Sequence, residues 1–471
     1  VGAALPPGVG EPPSADGSPT GEVPPPVDPA AVQAVLAREI DEAQAAMFAR
    51  RLVAVEGMLG DSDADRLLRA LLCGRLTELL AGPAPRALRV RALADFVYSQ
   101  HARLRLGGRG PSVEDFACRA AWRPAAAGVE HATLSGGTQL GPQRIHLLRL
   151  DPLHVRLAAV DRRPEVARGE DLAAHAARIG ALAAWSGGFF LYSEPDIAPP
   201  SARYDPVGLL VTEGALRSAP LFTRTALTED ATGWHVGPVE LDACRLAVGG
   251  HELALRGRRR WTRAATRSVA CDDGALVIVG DRVQACVAPG ARVEVPLNGV
   301  VLAWPEPPVA PGSIARWSLP GVACGIAGGP RLVEAGRPLA DLAAAPVPAP
   351  QLVAEDFCGT APPRTFSQDE TGDRNLLPRL AVGLDRSGRL LVAAVDGRDL
   401  SGALGLTLSA TARLMAALGC VDAMNLDGGS SKRLVLLGRT LDSSTTEIVS
   451  TTGSSAAHRR PVRTAFFALP R

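Results

Sequence analysis

Lysine is nearly absent from this chain: of 50 basic residues in 471, only Lys432 is a lysine and the rest are arginines. With so much Ala, Gly and Pro, that pattern fits the coding bias of a GC-rich genome, which replaces dispensable lysines by arginine. A lysine that survives is a candidate for a role needing a compact point charge rather than a planar fork. Charge of neither sign dominates, with 49 acidic residues against the basic 50. There is no basic stripe and no polyacidic tail, so nucleic acid is not an expected partner. The short run Arg258-Arg259-Arg260 reads as solvated surface. The eight cysteines contain no Cys-x-x-Cys pair, which argues against a zinc ribbon or a thioredoxin-like motif. Their even number permits disulfides, and their scattered apolar neighbours suit buried thiols at least as well. The eight histidines show no His-x-x-x-His spacing. No apolar run reaches the roughly 18 residues that span a bilayer, so no transmembrane segment is expected. The sequence starts at Val1 without an initiator Met; a secreted or cell-envelope location is expected, with the N-terminal signal not visible here.

Apolar material is ample, at 46% of residues, and the length suits about two to four domains. Residues 1–27, rich in Pro, Gly and Ser, read as a disordered leader. Asp28-Pro29 then offers an N-cap followed by proline at the first helical position. Val32, Leu36, Ile40, Ala43 and Met47 recur at helical spacing. Two more helices are expected, over about 63–80 and 86–101. Residues 28–125 are therefore expected to form a small bundle or an oligomerisation segment that carries no chemistry.

The character changes near Thr133, where a domain running to 471 is expected to begin. Ile145 and Leu147, then Val155, Leu157 and Ala159, alternate as strands do. A helix is expected over about 171–179, leading into Trp185-Ser186-Gly187-Gly188-Phe189-Phe190. The two glycines read either as a bulge packed under phenylalanines or as a loop lining a pocket. Residues 207–300 are short, strand-like and turn-rich. A further glycine loop, Gly325 to Gly329, precedes a strand at Arg331-Leu332, and 338–352 reads as a surface connection.

The C-terminal part is the most informative. Arg379 to Leu384 reads as a strand, Asp385 to Gly388 as a turn, and Leu390 to Val395 as a strand buried on both faces. That strand ends at Asp396-Gly397-Arg398. A helix capped by Thr407 or Ser409 follows, with Leu408, Ala412, Met415 and Leu418 facing inward and Gly419 as its stop. The chain then enters Asn425-Leu426-Asp427-Gly428-Gly429-Ser430-Ser431-Lys432. Taken alone, Asp-Gly-Gly before Leu434–Leu437 reads as a hairpin turn. Alternatively, glycines bring backbone N–H groups close to a ligand, so the loop and its serines would hold an anion beside the Asp427 carboxylate. Parallel strands on either side of the helix would place Asp396 and Asp427 at one edge of a sheet.

Taken in order, Ser-Gly-Gly-Phe-Phe, Ala-Gly-Gly-Pro-Arg-Leu, Arg-Leu-Ala-Val-Gly, Val-Asp-Gly-Arg, Gly-Leu-Thr-Leu, Asn-Leu-Asp-Gly-Gly-Ser-Ser and Arg-Pro-Val-Arg-Thr-Ala resemble the phosphodiester glycosidase family. The resemblance runs over roughly 133–470 and is strongest over 375–433. It implies a mixed α/β (α+β) domain that hydrolyses the bond between a sugar's anomeric carbon and a phosphodiester, with an envelope or exopolysaccharide-type substrate. It further implies Asp427 as the first catalytic carboxylate and Asp396 as the second. Arg379 and Arg398 would pair with phosphate oxygens. The backbone of Gly428 and Gly429, with Asn425, Ser430, Ser431, Gly187 and Gly188, would complete the substrate site. No cofactor is expected. The hard oxygens of Asp396, Asp427 and the loop carbonyls would suit Ca²⁺ or Mg²⁺, but there is no dedicated metal loop. Ser186 stands where the family usually has Asn, and Ser430 where a third glycine is common. Those departures motivate an alternative, a non-catalytic protein that binds or assembles polysaccharide through the same pocket.

Overall fold

The computed structural model describes residues 110–191, 197, 199, 202–305, 309–339, 350–357, 376–398, 402–443 and 460–471. The leader and the helices expected between residues 28 and 101 lie outside these residues. The described chain is mostly β-strand, arranged in several antiparallel sheets with few helices. The expectation of a mixed α/β domain is corrected accordingly. Strand structure also starts earlier than expected: after a short helix, Val113–Ala117, the first strand begins at Arg123.

Eight strands form the largest sheet. In chain order they are β1 (Arg123–Ala126), β2 (Val129–Thr138) and β3 (Gly141–Leu150), then β6 (Arg331–Glu334), β7 (Arg337–Pro338), β8 (Arg379–Asp385), β9 (Leu390–Val395) and β10 (Cys420–Leu426). Their order across the sheet is β1-β2-β3-β9-β8-β10-β6-β7. A second sheet contains β4 (Val155–Asp161), β5 (Ala183–Ser186), β11 (Leu434–Leu436), β12 (Arg439–Thr440) and β13 (Thr464–Pro470), ordered β12-β11-β5-β13-β4.

The two sheets sandwich one core. Leu148, Leu380, Val382, Val392, Ala394, Met424 and Leu426 from the large sheet meet Leu157, Trp185, Leu434 and Phe466 from the smaller one. The opposite face of the large sheet is covered too. Ile145, Leu147, Ala381, Leu391 and Ala393 lie there under Leu408, Ala412 and Met415 of the helix Leu408–Ala417, with Val113 and Phe116 of the first helix. β9 therefore reads as an unbroken apolar run because alternate side chains enter two different cores. All six of its residues are at most 2% exposed. The run correctly reported burial on both faces, although each neighbouring strand is antiparallel rather than parallel.

The helix Leu408–Ala417 starts at Thr407, whose hydroxyl accepts a hydrogen bond from the Ala410 N–H. It ends before Gly419, which adopts φ +95. The residues between β5 and β6 add a five-stranded sheet and three smaller sheets around a further core that includes Leu246, Leu276 and Val300. The stretch expected as a surface connection after 338 ends in a short helix, Pro350–Ala354, and Leu352 and Phe357 are buried in the core beneath the large sheet.

Leu390 and Leu391 enter opposite cores, so each truncation creates a separate cavity. Leu390→Ala and Leu391→Ala are each expected to cost about 2–5 kcal/mol in chemical denaturation, and the double variant to lose close to the sum.

Candidate active site

The edge of the large sheet at which β9 and β10 end gathers the chemistry. β8 lies between them and is antiparallel to both, so β9 and β10 run the same way without touching. Asp396 follows the last residue of β9 and Asp427 the last residue of β10, at one edge, as expected. Arg379, the first residue of β8, starts at that same edge opposite Val395. Leu380 pairs with Leu426; one more step along each strand sets Asp427 beside Arg379 on the neighbouring strand.

The loop after β10 is not a hairpin. It leaves the large sheet through a 3-10 turn at Gly429–Ser431 and enters β11 of the second sheet. There it meets the loop after β5: the Asp427 N–H donates to the Gly187 carbonyl at 3.2 Å, and the Ser186 hydroxyl donates to the Ser431 carbonyl at 2.6 Å. Ser186 thus clamps the two glycine loops together. The glycines answer steric need as well. A Cβ on Gly188 would lie 1.9 Å from the Ala327 carbonyl oxygen, and one on Gly428 would lie 2.6 Å from that of Pro378. Gly429, expected to offer its N–H to an anion, instead donates it to the Pro378 carbonyl at 2.9 Å. The N–H groups of Gly188 and Gly428 donate to no backbone carbonyl among the described residues.

Arg379 is buried and donates from Nε to the Leu406 carbonyl at 2.9 Å. Arg398 is buried and adopts φ +60, a conformation uncommon for a side chain of its size. Asn425 donates from its amide to the Gly329 carbonyl at 3.1 Å, which ties β10 to the glycine loop before β6. That loop is braced by Glu355, whose carboxylate accepts from the backbone N–H groups of Thr225 and Arg331. Nearby the buried Arg224 guanidinium lies 4.1 Å from the ring centre of Phe357. Glu355, Arg224 and Phe357 had no local motif to announce them.

The two carboxylates at the edge are not equivalent. Asp396 is 2% exposed, and its Oδ1 accepts from the Lys432 ammonium at 2.6 Å and the Ser443 N–H at 3.0 Å. The same ammonium reaches Asp442 Oδ2 at 3.2 Å, while Asp442 Oδ1 accepts from the Leu434 N–H. Lys432 is 1% exposed. The lone lysine is therefore the centre of a buried ion cluster. Of Asp396, expected as the second catalytic carboxylate, Oδ1 is engaged in this cluster, whereas Oδ2 makes no hydrogen bond among the described residues. Asp427 is 9% exposed, against 2% for Asp396.

His146, on β3, faces the same cluster, with Nε2 3.8 Å from Asp396 Oδ2. Arg144 approaches that oxygen at 3.9 Å. Burial is the main cause that pushes the His146 imidazole below its usual range, and Lys432 and His131 add to the shift against the opposing pull of Asp396 and Asp442.

Elsewhere, Glu165, Glu170 and His175 bring ligand atoms within 4.8 Å of one another. Arg162 donates to His175 Nδ1 there, which places a cation beside the would-be ligands.

Two glycine loops and a carboxylate thus meet at one edge of the large sheet, where it faces the second sheet. Residues 306–469 match the family model described as phosphodiester glycosidase, so the resemblance read from the sequence holds over that part of the chain. No curated protein matches the chain significantly. Among solved structures, the chain is similar to a hypothetical protein from Synechocystis at 20% identity, covering 75% of this chain and 64% of that one, with a TM-score of 0.47. It is similar to a candidate exported protein from Burkholderia pseudomallei at 22% identity, covering 71% and 76%, with a TM-score of 0.46. It is similar, too, to the catalytic domain of zebrafish N-acetylglucosamine-1-phosphodiester alpha-N-acetylglucosaminidase at 15% identity, covering 75% and 87%, with a TM-score of 0.43. The chain thus spans less than two thirds of the Synechocystis protein.

Removing Lys432 strands two buried carboxylates. Lys432→Met is expected to lower stability by about 3–5 kcal/mol in urea unfolding. The lowered value of His146 has a definite sign: the unfolded chain binds its proton more readily, so stability declines as pH falls below about 6.5. His146→Gln is expected to make that decline shallower when unfolding is followed against pH.

Proposed function

We propose that the chain hydrolyses the bond between a sugar's anomeric carbon and a phosphodiester oxygen. The observation that carries this is the place of Asp427: it follows the last residue of β10, beside the start of β8 at Arg379 and between two glycine loops. In the reaction the C1–O bond breaks and water supplies a hydroxyl to C1 and a proton to the products. The phosphate leaves as an anion that is already stable, so little acid assistance is needed. Asp427 activates the water or stabilises the oxocarbenium-like centre. Arg379 and Arg398 receive the phosphate oxygens, and the N–H groups of Gly188 and Gly428 add neutral donors. Asn425, Ser430 and Ser431 line the loop that orients the sugar.

Asp396 has a different part in this reading. It holds Lys432, the residue that closes the glycine loop, and so acts as a positioning residue. The scheme is written without a cofactor; Asp396 Oδ1 accepts from Lys432. The substrate class is a carbohydrate phosphodiester of an envelope or exopolymer, which agrees with a secreted or envelope location. Among the described residues no helix is long and apolar enough to cross a membrane. The departure that motivated a non-catalytic binder, Ser186, is a clamp between the loops and does not argue for loss of turnover.

The test is release of free sugar from a synthetic sugar-phosphate-methyl diester. Asp427→Asn is expected to slow turnover by about 10²–10⁴-fold with an unchanged unfolding curve. Full activity in that variant would end this mechanism.

A further inference from the structure

Just beyond the Gly187-Gly188 loop the chain builds a seat for two arginines that pair with no carboxylate among the described residues. Phe190 pairs with Pro206, and the Leu191 carbonyl accepts from the Tyr204 N–H at 2.6 Å. These bonds hold Tyr204 at φ 76, a strained conformation for a bulky residue, of the kind found at functional positions. Its ring carries two guanidiniums: Arg463 lies 3.9 Å from the ring centre and Arg203 lies 5.3 Å from it.

The contrast with a neighbouring arginine is informative. Arg163 is paired with both Asp161 and Asp205, and Asp205 also accepts from Asn298. Those carboxylates are spoken for. Arg463 and Arg203 have no carboxylate partner among the described residues, and Arg463 Nε is buried without a hydrogen-bond acceptor there. An arginine held by an aromatic face leaves its charge unpaired and its donor edge open, whereas one held by a carboxylate spends both on its partner. The seat adjoins the candidate active site through the backbone. Arg463 precedes Thr464, whose carbonyl accepts from the Gly187 N–H at 2.8 Å, and the Arg460 N–H donates to the Ser430 carbonyl at 3.2 Å. Residues 460–464 therefore connect both glycine loops to the arginine pair.

We propose that Arg463 and Arg203, mounted on Tyr204, form a second anion subsite that binds the neighbouring phosphate of a polymeric substrate, so that the natural substrate is a chain of phosphodiester-linked repeats rather than a single diester. This rests on the hydrolase reading for the first site, but the second site binds whether or not the first one turns over. A sugar-phosphate polymer supplies an identical anion one repeat away from the bond to be cut, and residues 460–464 tie the seat to both glycine loops.

The experiment compares two ligands on the full chain: the sugar-phosphate-methyl diester, with one phosphate, and a short oligomer of phosphodiester-linked repeats bearing the same sugar. Calorimetry measures binding, and sugar release measures turnover. Arg463→Ala is expected to weaken oligomer binding by about tenfold to a hundredfold while leaving the methyl diester's kcat and KM unchanged. Arg463→Lys retains part of the affinity because it keeps the charge. Arg203 is exposed, so Arg203→Ala leaves the fold intact and is expected to weaken the oligomer in the same direction. Equal effects on both ligands, or none on the oligomer, would overturn the subsite, as would equally tight binding of a uronic acid oligomer. Oligomer binding that depends on Arg463 without any sugar release would keep the subsite and discard the hydrolase. Sugar release with no preference for the oligomer would do the reverse.

Discussion

The ammonium of Lys432 between the carboxylates of Asp396 and Asp442 is the interaction on which the site depends. Asp396 belongs to the end of β9 in the large sheet. Asp442 follows β12 of the smaller sheet, and Lys432 closes the glycine loop that crosses between them. One cation thus fixes the loop to both layers of the sandwich. Burying three charges costs desolvation, which the cluster offsets by giving three of the four carboxylate oxygens a donor, with the Leu434 and Ser443 N–H groups beside the ammonium. A compact ammonium directs its donors to separate acceptors, whereas a guanidinium is a larger planar fork. In a chain that otherwise uses arginine, the side chain that is 1% exposed between two acids is the one that stayed lysine.

The same closeness of the two layers explains the glycines. Where β5 and β10 leave their sheets, backbone meets backbone, and a Cβ at Gly188 or Gly428 would enter a carbonyl oxygen. A glycine-rich loop followed by serines resembles an anion cradle in sequence. Here part of that signal records steric need, and part of the donor capacity is spent within the fold, as the Gly429 N–H shows. Among the described residues, the Gly188 and Gly428 amides are the ones among these loops' glycines that donate to no backbone carbonyl.

Local signals were legible where the physics is local. The cap at Thr407, the stop at Gly419 and the turn between β8 and β9 follow from residues a few positions apart. The common edge for Asp396 and Asp427 was legible as well, because an apolar run that ends on an acid marks a strand terminus. The sequence did not disclose that β8 lies between those strands, since register and neighbour order are set by long-range pairing. Nor did it single out Asp442, His146 or Glu355. Each is an isolated polar residue whose partners lie far along the chain: 46 positions separate Asp442 from Asp396, and 130 separate Glu355 from Thr225. The β-rich architecture was misjudged for a related reason. A doubly buried strand reads alike in parallel and antiparallel sheets, so the helix beside it suggested an α/β crossover.

Two carboxylates at one sheet edge can divide their roles only if their surroundings differ. Asp396 faces a lysine, a backbone N–H and a buried imidazole, and its negative charge is consumed in holding the loop. Asp427 sits between the two glycine loops, with its backbone pinned to Gly187 and its neighbour strand starting at Arg379. A carboxylate that must hold structure is best surrounded by permanent cations, while one that must meet a transient positive centre is best left less encumbered. The sandwich produces that difference with one lysine. By holding Asp396, Lys432 sets the loop on which Asp427 is carried.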